Sequence, residues 1–221
     1  MSYLDVNPVV NTDRYIQGRQ LPSARYASWD HCYNYFGTAL DEGWQSELAS
    51  PDHLQNSCLQ LGFYLASWGM YRGKAALLKQ SSRGLANVVK VAAETSASVW
   101  NIDVENYSEE SIGELLKLSE KIRDALPGGA TDTLVTKVML GVYGNVPAFD
   151  RFFRKGFDSY SLGKIALKKI KSYFDEHSAE IRSIAPSTLD FDGAATNRRY
   201  TQAKVIDMVF FVEGGGLSVG N

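Results

Sequence analysis

The chain has 221 residues, of which 44% are hydrophobic and 22% charged, with a formal net charge of −2. These are the proportions of an ordinary globular protein, and 12 Tyr, 10 Phe and 4 Trp supply the mass of a sizeable core. A balance so close to neutral excludes a general nucleic-acid coat protein, which would carry a strong basic excess.

Residues 1–22 carry Pro8, Gly18 and Pro22 with little periodicity and read as an irregular N-terminal arm. A helix is predicted from about Ala24 to Leu40, where Trp29, Cys32, Tyr33 and Phe36 recur every three to four residues. Ser50-Pro51-Asp52 then combines an N-cap hydroxyl, a proline at the first helical position and an acid in the first turn. The helix it opens is expected to run to Lys79. It is apolar almost all round, which predicts a buried central helix over about 50–79. Gly62, Ala66, Gly69, Gly73 and Ala76 would draw a stripe of small residues down one face. Each glycine costs roughly 0.5–1 kcal/mol relative to alanine in a helix. Close approach of another helix is the expected compensation, with a ligand or nucleic-acid backbone as the alternative.

Further helices are predicted over Leu85–Val99 and, capped by Ser108, through to Leu126, where Pro127-Gly128-Gly129 stops the chain. Thr131 caps the next helix, to about Tyr143. Gly144-Asn145 turns the chain, and Pro147 opens another helix ending near Gly156. Ser161 caps a long basic helix that ends before Pro186. Residues 187–200 read as loop, Thr201 caps a last helix over Ala203–Val212, and 213–221 read as a flexible tail. The short run 207–212 has the composition of a strand but no obvious partner. The expectation is an all-α fold. A single domain over 23–212 would hold seven to nine helices, with 126–156 a helix-turn-helix unit packed on the central one.

The start, Met1 to Asp5, lacks the basic and apolar regions of a secretory signal. No run of about 18 apolar residues could span a membrane. Cys32 and Cys58 form neither a zinc spacing nor a C-x-x-C pair. The reading is a cytoplasmic chain with reduced thiols and no membrane partner. His31 and Cys32 are helix neighbours whose side chains diverge by about 100°, so one cannot activate the other. No histidine pair has metal-ligand spacing, no phosphate loop or dinucleotide fingerprint occurs, and no metal or cofactor is expected.

Charge concentrates in the second half. Residues 1–125 hold 11 Lys/Arg against 15 Asp/Glu, whereas 126–221 hold 12 against 10. Within 151–171, Arg151, Arg154, Lys155, Lys164, Lys168, Lys169 and Lys171 face only Asp158. Such a run can neutralise phosphates, and it can equally be the solvated face of a helix. Trp68, Tyr71, Arg72 and Lys74 place stacking and basic groups at one end of the predicted central helix. Candidate binding residues are therefore Arg72, Lys74, Lys137, Arg151, Arg154, Lys155, Lys164 and Lys168. Asp150, expected in the first turn of a helix, is the candidate catalytic carboxylate.

The segment 126–151 resembles the core of the helix-hairpin-helix DNA glycosylases. Leu126-Pro127-Gly128 matches their turn, Gly144 resembles the glycine at their helix end, and Asp150 falls where their catalytic aspartate falls. The resemblance implies a hairpin whose backbone N–H groups face a phosphate, and a carboxylate that stabilises positive charge developing on a sugar. Gly128-Gly129-Ala130 departs from the family's glycine spacing. Asp132 stands where the backbone-cleaving members carry lysine, so no Schiff-base chemistry is implied. As a whole the chain resembles uncharacterised helical proteins of bacteria, which implies no activity. Three readings follow. The first is a binding or accessory protein recognising nucleic acid or a protein partner through 126–171. The second is an enzyme acting on nucleic-acid bases through Asp150. The third is a structural or regulatory homodimer.

Overall fold

The computed structural model describes residues 2–19 and 21–218. Among these are eleven α-helices and one two-stranded hairpin. In chain order they are α1 (Pro8–Gln17), α2 (Ala27–Asp41), α3 (Leu54–Ser67), α4 (Ala86–Glu94), α5 (Ala97–Trp100), α6 (Glu109–Ala125), α7 (Asp132–Val142), α8 (Arg151–Phe157), α9 (Lys164–Glu176), α10 (Ser178–Ile184), β1 (Ser187–Leu189), β2 (Ala195–Arg199) and α11 (Gln202–Glu213). The all-α expectation holds apart from that hairpin.

Several helix starts follow from local side-chain chemistry. Ser108 accepts the Ser111 N–H, and the Ser111 hydroxyl returns to the Ser108 N–H, so α6 opens on a reciprocal cap. Thr131 accepts from Leu134 N–H at α7, and Thr201 accepts from Lys204 N–H at α11. Between α6 and α7, Gly128 and Gly129 both take positive φ, near +72° and +73°. That left-handed backbone admits glycine readily and turns the chain in two residues.

The centre of the molecule is occupied by α7 and α11. Every residue from Leu134 to Val142 is buried, and so is every residue from Ala203 to Val212. Around them, α1 and α8 pack on α11, while α2, α3 and α6 pack on α7. The closest crossing is α8 on α11. A methyl on Gly156 would overlap the Phe210 carbonyl, and one on Gly214 would overlap the Phe152 carbonyl. One apolar core runs through all of these elements.

The structure differs from the sequence expectation in identifiable places. The N-terminal arm contains α1, capped by the Asn7 side chain with Pro8 at its first position. The helix expected over 50–79 spans only Leu54–Ser67. Beyond it Gly69 and Gly73 take positive φ, +76° and +62°, which a helix does not accommodate. The small-residue stripe is therefore not a helix face, and the close backbone packing lies at Gly156 and Gly214 instead. The central position passes to α7 and α11, because α3 buries one side and leaves Leu59 and Phe63 exposed. The helix expected over 85–99 divides at Thr95, whose hydroxyl returns to the Val91 carbonyl. The basic helix divides at His177. Pro147 lies in a buried loop, and α8 starts four residues later because Asp150 caps it. The segment 187–200 folds as the hairpin, paired Ser187 with Arg199 and Leu189 with Ala195. Of the expected tail, Gly214 and Gly216 are buried, and 219–221 lie outside the described residues. No helix among the described residues is long and apolar enough to cross a membrane.

Candidate functional site

The residues singled out by charge do not converge on one site, although Asp150 meets Lys137 and Lys164 meets Lys168 at Glu109. Asp150 is the N-cap of α8: its Oδ1 accepts from Phe152 N–H at 2.9 Å and Phe153 N–H at 3.0 Å. Its Oδ2 pairs with Lys137 Nζ at 3.2 Å, and these side chains are only 13% and 5% exposed. Lys137 also lies over the Trp68 ring, 4.9 Å from its centroid. Both carboxylate oxygens are thus engaged by the fold, and the lysine is an interior group. Arg72 and Lys74 stand exposed on the turn that follows α3. Arg151 is exposed over Phe152, Arg154 bonds the Thr133 hydroxyl, and Lys155 is exposed on α8. Lys164 and Lys168 both pair with Glu109 of α6. Lys169 donates to the carbonyls of Phe157 and Asp158, closing the C-terminal end of α8, and Lys171 pairs with Asp175. Lys164, Lys168 and Lys169 thus tie α9 to its neighbours, while Arg151 and Lys155 stay exposed.

A different part of the surface is concave. An open cleft of about 1090 Å³ lies between α2, α3 and the hairpin. Its floor is one face of α2, with Ser28, His31, Asn34, Tyr35, Thr38 and Asp41 recurring at helical spacing. Asn56, Leu59, Gln60 and Phe63 of α3 form one wall, and Phe191, Thr196, Asn197 and Arg198 of the hairpin form the other. Trp44 closes one end. Phe63 is 69% exposed, Phe191 83% and Leu59 48%, so three of the molecule's exposed large apolar side chains line this one cleft. None of the residues singled out by charge lines it.

The walls are fixed by a buried polar network. Asp30 on α2 is fully buried. Its Oδ1 accepts from Arg19 and from Leu189 N–H, both at 3.1 Å, and its Oδ2 accepts from the Tyr200 hydroxyl at 2.9 Å. Burial pushes the Asp30 carboxyl up, against the pull of Arg19 and of these hydrogen bonds. Arg19 donates to the Ser187 carbonyl as well, at 2.9 Å. Asn34 donates to the Leu189 carbonyl at 2.9 Å and accepts from the Thr188 hydroxyl at 2.7 Å. Together these bonds seat β1 on α2. The other wall is antiparallel to the floor: Tyr35 bonds Ser57 at 2.9 Å, and the Tyr26 and Trp68 rings meet at 5.5 Å. Burial raises the Tyr35 phenol, so it is held as a neutral hydroxyl.

The one cation lining the cleft is paired within it. Arg198 binds Asp41 at 2.8 Å, its guanidinium lying where a side chain on Gly37 would be. Asp190 accepts from Asp192 N–H and Ala194 N–H and so shapes the hairpin turn. His31 Nε2 is buried without a hydrogen-bond partner among the described residues, and its ring lies 5.4 Å from that of Phe191. Cys32 and Cys58 are free and buried, and burial raises both thiols, which suppresses thiolate chemistry. Among the described residues no group of three His, Cys, Asp or Glu side chains could hold a metal.

The cleft was partly visible in the sequence. The exposed side of α2 has polar residues at 31, 34, 38 and 41, and Leu59 and Phe63 are an i, i+4 apolar pair. What hid it was the reading of α3 as apolar all round and of 187–200 as loop. The chain matches no family model, no curated protein and no solved structure.

Proposed function

We propose that this is a binding protein whose ligand site is the cleft between α2, α3 and the hairpin. The observation that carries the reading is the clustering of Leu59, Phe63 and Phe191, exposed on two rigidly held walls above a polar floor. A concave site with apolar walls and a few convergent polar groups is the usual form of a small-ligand site. Its volume is of the order that takes a drug-sized molecule, roughly 300–1,000 Å³ or slightly more. The segment 126–171 supports a binding role less well, because its central lysine is interior and most of its other cations have partners. The reading of Asp150 as a catalytic carboxylate has the same difficulty, since both its oxygens are taken by a helix cap and a lysine.

The test uses the fluorescence of 8-anilinonaphthalene-1-sulfonate, with the native fold verified by near-ultraviolet circular dichroism. Enhancement with the natural chain and its loss in Phe63→Ser/Phe191→Ser are expected. Both positions are exposed, so the variant should stay folded, within about 0.5 kcal/mol. Ile165→Ser changes an equally exposed apolar residue outside the cleft and should leave the signal intact. Undiminished enhancement in the double variant, or none with the natural chain, would overturn the proposal.

A further inference from the structure

Resting on that reading of the cleft, we infer that its ligand is an uncharged, ring-faced polyhydroxyl compound, a short oligosaccharide. Once the fold's own bonds are made, few groups of the cleft are left to meet a ligand. Its one cation is engaged, Arg198 with Asp41, and Asp190, held by two backbone N–H groups of the hairpin turn, leaves the lining without a free positive group for an anion. Asn34 spends both ends of its carboxamide on β1. The polar groups that remain along the floor and walls are the Thr38 hydroxyl and the carboxamides of Gln60 and Asn197, the Asn56 side chain being engaged with the Tyr35 phenol. A carboxamide presents a donor and an acceptor side by side, which matches a pair of neighbouring hydroxyls.

The remaining lining is aromatic and aliphatic: Tyr35, Trp44, Phe63, Phe191 and Leu59. A pyranose has flat C–H faces and a hydroxyl edge, so it can lie on such rings while its rim bonds to the amides. The His31 Nε2 has no hydrogen-bond partner among the described residues, but it is sealed from solvent with its ring 5.4 Å from that of Phe191, so the recognition falls to the hydroxyl and amides of the open surface. The floor from Ser28 to Asp41 covers thirteen helical steps, about 20 Å at 1.5 Å each. An elongated ligand of several rings fits that trough better than a single ring. A nucleotide is disfavoured because the one arginine lining the cleft is already held by a carboxylate.

The test titrates ¹⁵N-labelled full-length protein with cellotriose, maltotriose and tri-N-acetylchitotriose. Two comparison probes are AMP and an end-capped Ala-Val-Ala-Val-Ala-Val peptide. At least one trisaccharide should shift the side-chain amides of Gln60 and Asn197 and the backbone signals near Phe63 and Phe191. Its affinity should fall at least tenfold in Phe63→Ala and in Gln60→Ala, both on the outer side of α3. Shifts from the peptide or AMP with none from any trisaccharide would overturn the inference and leave the cleft as a binding site. No shifts from any of the five, together with no fluorescence enhancement, would remove both. Trisaccharide shifts located away from the cleft would also overturn it.

Discussion

Asp150 and Lys137 offer the sharpest test of how this interior is built. Asp150→Ala removes two things at once. It deletes the cap that accepts Phe152 N–H and Phe153 N–H, and it leaves the Lys137 ammonium, 5% exposed, without its counter-charge. A lost N-cap costs about 1 kcal/mol. Breaking a buried pair by removing one partner costs about 3–5 kcal/mol, because the remaining charge stays out of water. The expected loss is therefore about 4 kcal/mol or more. Lys137→Met is predicted to behave differently. It takes away the charge while keeping an unbranched chain beside Trp68, and Asp150 retains its two N–H donors and its partial access to water. Its cost should be about 1 kcal/mol. In Lys137→Met/Asp150→Ala no charge is stranded, so that variant should be more stable than Asp150→Ala alone by about 2 kcal/mol. Urea unfolding at pH 7, followed by circular dichroism at 222 nm, measures all three with the slope as a check on two-state behaviour. If Asp150→Ala loses less than about 1 kcal/mol, or the double variant recovers nothing, the stranded-charge argument is wrong.

Two further predictions concern packing and pH. Gly156→Ala and Gly214→Ala each place a methyl on a facing carbonyl where α8 crosses α11, while Gly163→Ala meets open space. The first two should each lose about 3 kcal/mol in thermal or urea unfolding and Gly163→Ala almost nothing; equal effects at all three sites would refute the close crossing. Asp103 accepts N–H bonds from Val104, Gln202 and Ala203, yet burial pushes its carboxyl up to about 6. Between pH 6 and the model-peptide value near 4 the folded chain binds a proton that the unfolded chain does not. This group's contribution therefore favours folding as pH falls through that window and is lost as pH rises through about 6. A carboxyl ¹³C titration of Asp103 should show a midpoint near 6, and a midpoint at 4 or below would contradict the burial argument.

Much of the secondary structure was legible because caps and turns act over three or four residues. Ser108, Thr131 and Thr201 each announce a helix through their own hydroxyls, and all three do so in the structure. Failures occurred where local signals competed. Ser50-Pro51-Asp52 reads as a helix start, but the helix opens at Leu54. Pro147 reads as a first helical residue, but the Asp150 carboxylate three residues later sets the start of α8. Gly69 and Gly73 looked like packing glycines in a long helix. Their positive φ shows them to be where the helix has already ended.

What the sequence determined by itself was the helical class, the position of most helix starts, and the apolar mass that builds the core, since these depend on near neighbours and on composition. Which helices lie at the centre, which charges are spent on one another and where the surface is concave were decided by tertiary structure. The cleft joins residues 28–63 to residues 190–198, and its character depends on pairs such as Arg198 with Asp41 and Asp30 with Leu189. Such pairs are separated by more than 150 residues, and no periodicity along the chain encodes them. A run of lysines looks like a site until Glu109 is seen to face it, and an apolar helix looks buried until nothing is found to cover Leu59 and Phe63. Burial and charge pairing are properties of what lies opposite a residue, and only the folded chain supplies the opposite face.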